Sequence, residues 1–358
     1  PPASRRPVAR RGQGLHRAGP CLSTGTLDVG DGYEVYYEEH GNAAGIPVVF
    51  LHGGPGAGAS QRMATLFDPL LYRVILFDQR GCGKSKRKGD ALQQLEANTT
   101  WHLVEDMEKL REHLEVDKWV VSGGSWGTCL ALAYASRHKG RVLGMILRAV
   151  CLFRDAEFDF FLGPGPGARA SIPDAWKRLT GWMRDEDRES AHAIARAFQR
   201  AALGQDAAIS PEDAMYRWSA WEMSLMSAGP PQLDGLADGE PGPEAAPPKA
   251  PEKPWPSLAG HRTQALLTVH YVAERGFFPP GFSLVEEART MPFPIRMIHG
   301  LNDCVCPVQN ARDIAAAAPD AVLVATQGGH SQWDSANIDA WVAASDEMAA
   351  EVVLEPVA

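Results

Sequence analysis

Three residue types that together make a hydroxyl reactive occur in this chain in glycine-rich settings. Gly123-Gly124-Ser125-Trp126-Gly127 is a G-x-S-x-G pattern. A serine hydroxyl alone is a weak nucleophile; it needs a base to take its proton and a carboxylate to orient that base. Gln327-Gly328-Gly329-His330 supplies an imidazole, a group whose ordinary pKa of roughly 6.5 suits it to accept a proton and return it to a leaving group. Gly300-Leu301-Asn302-Asp303 supplies the carboxylate. A fourth piece, His52-Gly53-Gly54-Pro55-Gly56, lets backbone N–H groups approach a developing negative charge closely. The chemistry that fits is acyl transfer, with Ser125 attacking a carbonyl carbon. The N–H groups of Gly54 (or Gly53) and Trp126 would hold the oxyanion.

Competing residues have simpler readings. His52 is expected to brace its own loop, and His299 ends a strand without a glycine turn and reads as core. Asp78, in Asp78-Gln79-Arg80-Gly81-Cys82-Gly83-Lys84-Ser85, could orient a base but reads more simply as part of a charged bracing loop. A phosphate-binding role for the glycines is poor, because no G-x-x-x-x-G-K-[ST] is present.

These groups can meet only if the elements between them bring them together. Val48–Leu51, Arg73–Phe77, Trp119–Val121, Met145–Leu147, Ile295–Ile298 and Ala321–Val324 are short apolar, β-branched runs, the pattern of strands buried on both faces. Trp101–Leu114 and Thr128–His138 carry apolar residues at helical spacing, and a further helix is expected from about Asn337. Strands alternating with helices predict an α/β fold with a mostly parallel sheet. Each candidate group then follows the carboxyl end of a strand. The strand–turn–helix around Ser125 is the setting a nucleophile elbow requires, and the order Ser125, Asp303, His330 is that of the α/β-hydrolase fold.

The stretch 154–288 differs. β-like runs are few, helical patches dominate, and it holds five of the ten Trp. Within it, residues 229–260 contain 14 Gly or Pro in 32 positions, too many for regular structure. The expected organisation is a tail over 1–24, a sheet core over 25–153 and 289–358, and an inserted helical cap over 154–288 with a Pro/Gly-rich loop at 229–260.

Composition narrows the function classes. With 35 Lys+Arg against 44 Asp+Glu, the formal charge of −9 argues against a nucleic-acid binder. Apolar runs fall far short of the ~18 residues needed to span a bilayer, so no membrane partner is expected. Six cysteines in 358 residues do not make a disulfide framework and fit a reducing, cytoplasmic setting. Cys304-Val305-Cys306 lacks a second pair at zinc-ligand spacing, so no metal is expected. Cys129, one helical turn beyond Ser125, is expected to confer sensitivity to thiol reagents. Arg5, Arg6, Arg10, Arg11 and Arg17 with no acid in residues 1–20 are expected to be a solvated tail or an organellar targeting segment.

The chain resembles the proline iminopeptidase (prolyl aminopeptidase) family of α/β-hydrolase serine peptidases. The matching pieces are HGGPGAG (52–58), FDQRGCGKS (77–85), LEANTTWHLVEDMEKLREHL (95–114), GGSWGTCLALAYASRH (123–138), IHGLNDCVCP (298–307) and GGHS (328–331). The resemblance implies Ser125, Asp303 and His330 as the triad. It also implies release of N-terminal proline from short peptides through an acyl-enzyme, without metal or cofactor. It implies a cap whose carboxylates grip the substrate's amino terminus: Trp218-Ser219-Ala220-Trp221-Glu222 matches a cap motif, making Glu222, Trp221 and Gly53 substrate-binding candidates. A second cap motif has Glu two residues before His-Tyr-Phe; here Thr268 occupies that place in Thr268-Val269-His270-Tyr271-Val272. One carboxylate instead of two compensates a buried ammonium less well. Glu274 is a candidate substitute, though helical spacing points it elsewhere. An esterase or amidase with the same triad and no demand for a free amine is the alternative reading.

Overall fold

The structure, a computed structural model, describes residues 14–87, 95–165, 167–227 and 259–354. It opens with a hairpin absent from the sequence reading, β1 (Cys21–Gly30) and β2 (Tyr33–Gly41). Its two-residue turn is Asp31-Gly32, both at positive φ (53° and 74°), which is the Asp-Gly signature of a tight antiparallel turn. β3 (Ile46–Leu51), β4 (Tyr72–Phe77) and the two-residue β5 (Lys86–Arg87) follow. Then come α1 (Thr100–His113), β6 (Trp119–Gly124), α2 (Trp126–Arg137) and β7 (Val142–Arg148). The segment between β7 and the next strand is helical: α3 (Asp155–Phe161), α4 (Ala168–Ser171), α5 (Pro173–Thr180), α6 (Ala191–Ala202), α7 (Pro211–Ser227), α8 (Ala259–Ala273) and α9 (Leu284–Ala288). β8 (Ile295–Gly300), α10 (Gln309–Ala317), β9 (Ala321–Thr326) and α11 (Ser335–Leu354) complete the chain.

The sheet order is β1-β2-β4-β3-β6-β7-β8-β9, with β5 beside β2. Every pairing from β4 to β9 is parallel, so the carboxyl ends of these strands share one edge. The chain leaves β3 for β4 on one side and returns to β6 on the other. That reversal opens a crevice at the strand ends, where α/β sheets place their ligands.

Strand alternation divides the core. Val49 and Leu51 face α1 and α2, with Leu103, Met107 and Leu130. Val48 and Phe50 face α11, where Phe50 stacks on Trp341 at 5.6 Å. Helices α3 to α8 enclose an apolar cluster of their own, centred on Phe198, Trp218 and Trp221.

Two boundaries differ from expectation. Residues 21–24, read as tail, begin β1, which pairs along β2. Before them, Leu15 packs on the α11 side of the core and the His16 N–H donates to the Thr65 carbonyl at 2.9 Å. The rest of the Arg-rich segment, residues 1–13, and all but the last two positions of the Pro/Gly-rich stretch lie outside the described residues; Ala259 and Gly260 already belong to α8.

Beneath the site, Arg80 is wholly buried and grips Asp106 on α1 with two bonds of 2.6 and 2.8 Å. Nη1 donates to Asp31 (3.0 Å) and the Ala97 carbonyl (2.7 Å), and Nη2 also to the Val29 carbonyl (3.2 Å). Burial pushes the Asp106 carboxyl up to about 6 although the guanidinium pulls the other way. Breaking such a pair from one side strands a buried charge. Asp106→Leu is therefore expected to lose roughly 3–5 kcal/mol in urea unfolding, and the double change with Arg80→Met distinctly less. Equal losses would show that the pair is not the source.

Candidate active site

Ser125 stands between β6 and α2 at φ 57°, ψ −127°, a conformation L-residues rarely adopt. The glycines around it make that turn possible. A side chain on Gly127 would collide with the Leu51 carbonyl, and one on Gly123 would lie 2.8 Å from the Gly127 carbonyl oxygen. β6, α2 and β3 thus approach with no atoms to spare. The elbow is pinned by the Ser125 N–H donating to the Arg148 carbonyl (2.9 Å) and the Thr128 hydroxyl donating to the Ser125 carbonyl (2.7 Å).

The structure brings Ser125, His330 and Asp303 together. His330 Nδ1 lies 2.8 and 2.9 Å from the two Asp303 carboxylate oxygens, so it carries the ring proton. Nε2 is then free to accept from Ser125 Oγ at 3.1 Å. Asp303 is wholly buried and also accepts from the N–H groups of Val305 and Cys306, both at 2.8 Å. Burial opposes its ionisation, but His330, His299 and the Cys306 N–H together hold its carboxyl below the ordinary value. His299 is a core residue: its Nε2–H donates to the Cys306 carbonyl (2.9 Å), Nδ1 accepts from Val150 (3.2 Å), and burial lowers its pKa.

Ser125 opens into a cavity of about 310 Å³. Gly53, Gly54 and Trp126 line it beside the hydroxyl; a side chain at Gly53 would come within 3.3 Å of Ser125 Cβ. Glu222 and Thr268 line it from α7 and α8. Glu222 accepts from Trp218 Nε1 at 3.1 Å, and burial pushes its carboxyl up to about 7 against the pull of Trp218 and the Thr268 hydroxyl. Glu274 is elsewhere, paired with Arg196 at 2.8 Å. Trp221 is corrected from a substrate-binding to a core residue. It precedes Glu222 and so points about 100° away around the helix, into the cluster of α3 to α8, where it is 1% exposed. Asp78 braces loops, accepting from the N–H groups of Ala59 (2.6 Å) and Lys84 (2.7 Å).

Residues 46–335 match the model of the alpha/beta hydrolase fold family. A proline iminopeptidase of Xylella fastidiosa (strain Temecula1) is 39% identical over 324 residues, covering 90% of this chain and 95% of that protein. One from Arabidopsis thaliana is 38% identical over 311 residues, 86% of this chain and 75% of that one. The chain belongs to the proline iminopeptidase family of α/β hydrolases. A solved proline iminopeptidase of Mycobacterium smegmatis superposes with a TM-score of 0.54 at 18% identity, over 92% of this chain and 99% of that one, a likeness of fold. Among the described residues, no helix is long and apolar enough to cross a membrane, and no group of three or more His, Cys, Asp or Glu could hold a metal.

Two polar residues of this family member escaped the sequence reading. Arg148, buried at the end of β7, donates from Nη1 to the His330 carbonyl and so ties the histidine loop to the elbow. A charge closing the apolar run Met145-Ile146-Leu147 was the available signal. Gln79 couples the glycine loop to the elbow. Its N–H donates to His52 Nε2 (3.0 Å), its amide nitrogen to the His52 carbonyl (3.0 Å), and its amide oxygen accepts from Trp126 Nε1 (3.0 Å). His52 therefore carries its proton on Nδ1, which donates to the Gly53 carbonyl at 3.0 Å. Gln79→Leu strands the Trp126 N–H and the His52 carbonyl. Unfolding free energy should fall by about 1–3 kcal/mol for each orphaned group. The rate of Ser125 reaction with a phosphonate should fall roughly ten-fold or more, since one lost oxyanion donor costs still more. An unchanged phosphonate rate would show that Gln79 does not position the elbow.

Proposed function

We propose that this protein is a serine exopeptidase that releases N-terminal proline from short peptides. The observation that supports the reading is that a single cavity joins the Ser125–His330–Asp303 chain to carboxylates of the helical segment, Glu222 on α7 and Glu157 on α3. Family membership supplies the peptide class. α3 to α8 act as the cap that presents Glu222.

Ser125 Oγ attacks the prolyl carbonyl while its proton passes to His330 Nε2. Asp303 holds the imidazolium that forms. Negative charge on the carbonyl oxygen is met by the backbone N–H groups of Gly54 and Trp126, at the positive end of α2. His330 then protonates the leaving amine, and the peptide shortened by one residue departs. Water attacks the prolyl ester through the same base and frees proline.

Glu222 sets which end of a peptide enters. Its ionised form pairs with a prolyl ammonium; the neutral acid does not. The carboxyl ionises as pH rises through about 7, so KM for a prolyl amide is expected to fall over that range. It rises again once the substrate's amine loses its proton, near 8 for an ordinary α-amine. Glu222→Gln should abolish the acidic limb and lower kcat/KM by about 2 kcal/mol or more, roughly thirty-fold, with kcat changed less. An acidic limb that survives in Glu222→Gln would assign it to another group.

Two further measurements test the whole reading. Prolyl chromogenic amides should be cleaved and acetyl-prolyl ones spared; equal cleavage would make the protein an esterase or amidase with no need of a free amine. Ser125→Ala should lose turnover and phosphonate labelling with its melting temperature little changed. Retained turnover would remove Ser125 as the nucleophile.

A further inference from the structure

Two kinds of group near Ser125 take no part in the chemistry above. Cys129, expected to be the sensitive thiol, is corrected: it is wholly buried and its thiol is pushed far up by burial, which leaves it inert. The other group is accessible. Ser331, Gln332 and Trp333 directly follow the catalytic base, and all three line the cavity. Trp333 is half-buried; it packs on the α11 side of the core, and its backbone N–H donates to Ser331 Oγ at 3.1 Å. The guanidinium of Arg62 lies over its ring, 3.9 Å from the centre.

Arg62 is the second residue of a short 3-10 helix, Gln61–Leu66, which Ser60 caps by accepting from the Arg62 N–H at 3.3 Å. The next residue, Met63, is buried and lines the same cavity. Arg62 and Trp333 thus each extend from a segment of the cavity wall and meet at its exposed margin. Among the described residues, the Arg62 guanidinium is paired with no carboxylate. A guanidinium seated on an aromatic face keeps its in-plane N–H donors for another partner, and their fork matches a carboxylate.

The reaction decides which part of a peptide passes this margin. The prolyl amine is drawn toward Glu222. His330 must hand its proton to the leaving nitrogen, so that nitrogen rests against the base, and the residues that follow His330 wall the path of the leaving peptide. In a dipeptide or tripeptide the terminal carboxylate ends roughly 3–7 Å beyond that nitrogen, at about 3.5 Å per extended residue. Short substrates therefore bring an anion to this wall, and long ones carry theirs past it.

We infer that Arg62, seated on Trp333, receives the C-terminal carboxylate of dipeptides and tripeptides and makes the enzyme favour short substrates with a free C-terminus. The assignment rests on the prolyl-peptidase reading of the same cavity. The carboxylate is bound alike before and during attack on a carbonyl one or two residues away, so the contact lowers KM and leaves kcat alone. Arg62 is exposed, and an exposed ion pair supports an effect of roughly three- to five-fold.

The test compares Pro-Ala-Ala with its C-terminal amide. In the parent, KM for the free acid should be roughly three- to five-fold lower than for the amide, with kcat alike, and added salt should shrink the difference. The two forms of a prolyl hexapeptide should not differ. Arg62→Gln should erase the preference for the acid and Arg62→Glu should reverse it. Each protein's own rate on the amide is the reference, so a general loss of activity leaves the ratio readable. Equal KM values in the parent, a preference that survives in Arg62→Gln, or an equal preference in the hexapeptide would each overturn the proposal. The same peptides are also tested as protectors of Ser125 against phosphonate labelling. Stronger protection by the acid, lost in Arg62→Gln, in a protein that cleaves no prolyl bond would fail the proline reading while keeping the carboxylate site.

Discussion

A serine held at φ 57° and ψ −127° costs of order 1–3 kcal/mol in backbone strain, and nothing local to the pentapeptide repays it. The surrounding packing holds it there. Gly123 and Gly127 let β6, α2 and β3 close to distances at which a single methyl group would collide. The Ser125 N–H is captured by Arg148 at the end of β7. That arginine in turn holds the carbonyl of His330, so the turn that raises the hydroxyl also fixes the base. Three strand ends and one helix are committed to a single residue's conformation.

Electrostatics divide two buried carboxylates between different tasks. Asp303 receives the imidazole and two backbone N–H groups, and its carboxyl is held low despite burial. Glu222 receives an indole N–H and the neighbourhood of one hydroxyl, too little to offset burial, and is pushed up to about 7. The neighbouring imidazoles outweigh burial at Asp303, whereas at Glu222 burial outweighs its two donors. The first group stays an anion that steadies an imidazolium. The second can change its charge near neutral pH. Thr268 contributes a hydroxyl to the same cavity, and Glu157 a second carboxyl group.

Much of the frame was legible because buried parallel strands announce themselves as short apolar β-branched runs, and the elbow, the Asp303 turn and the His330 turn each follow one. The hairpin β1–β2 was missed although Asp31-Gly32 marks its turn; its strands alternate polar and apolar residues, as Tyr33-Glu34-Val35-Tyr36 does, and lack a continuous run. Trp221 was misplaced because a motif resemblance assigns neighbouring residues together, whereas a helix sends consecutive side chains about 100° apart. Gln79 and Arg148 act through hydrogen bonds to backbone groups far away in sequence, and no local pattern encodes such partners.

The sequence by itself determined the chemistry: which residue is the nucleophile candidate, which the base and which the acid, in what order along an α/β chain, and the family that uses them. These follow from local rules, since strand, turn and helix propensities act over a few residues. Tertiary structure alone decided the environments. It showed that Glu222 and Ser125 share a cavity, that Trp221 and Glu274 do not reach it, and that Cys129, one turn past Ser125, is sealed away. Proximity and desolvation depend on residues far apart in the chain, and pKa and reactivity are set by those two quantities.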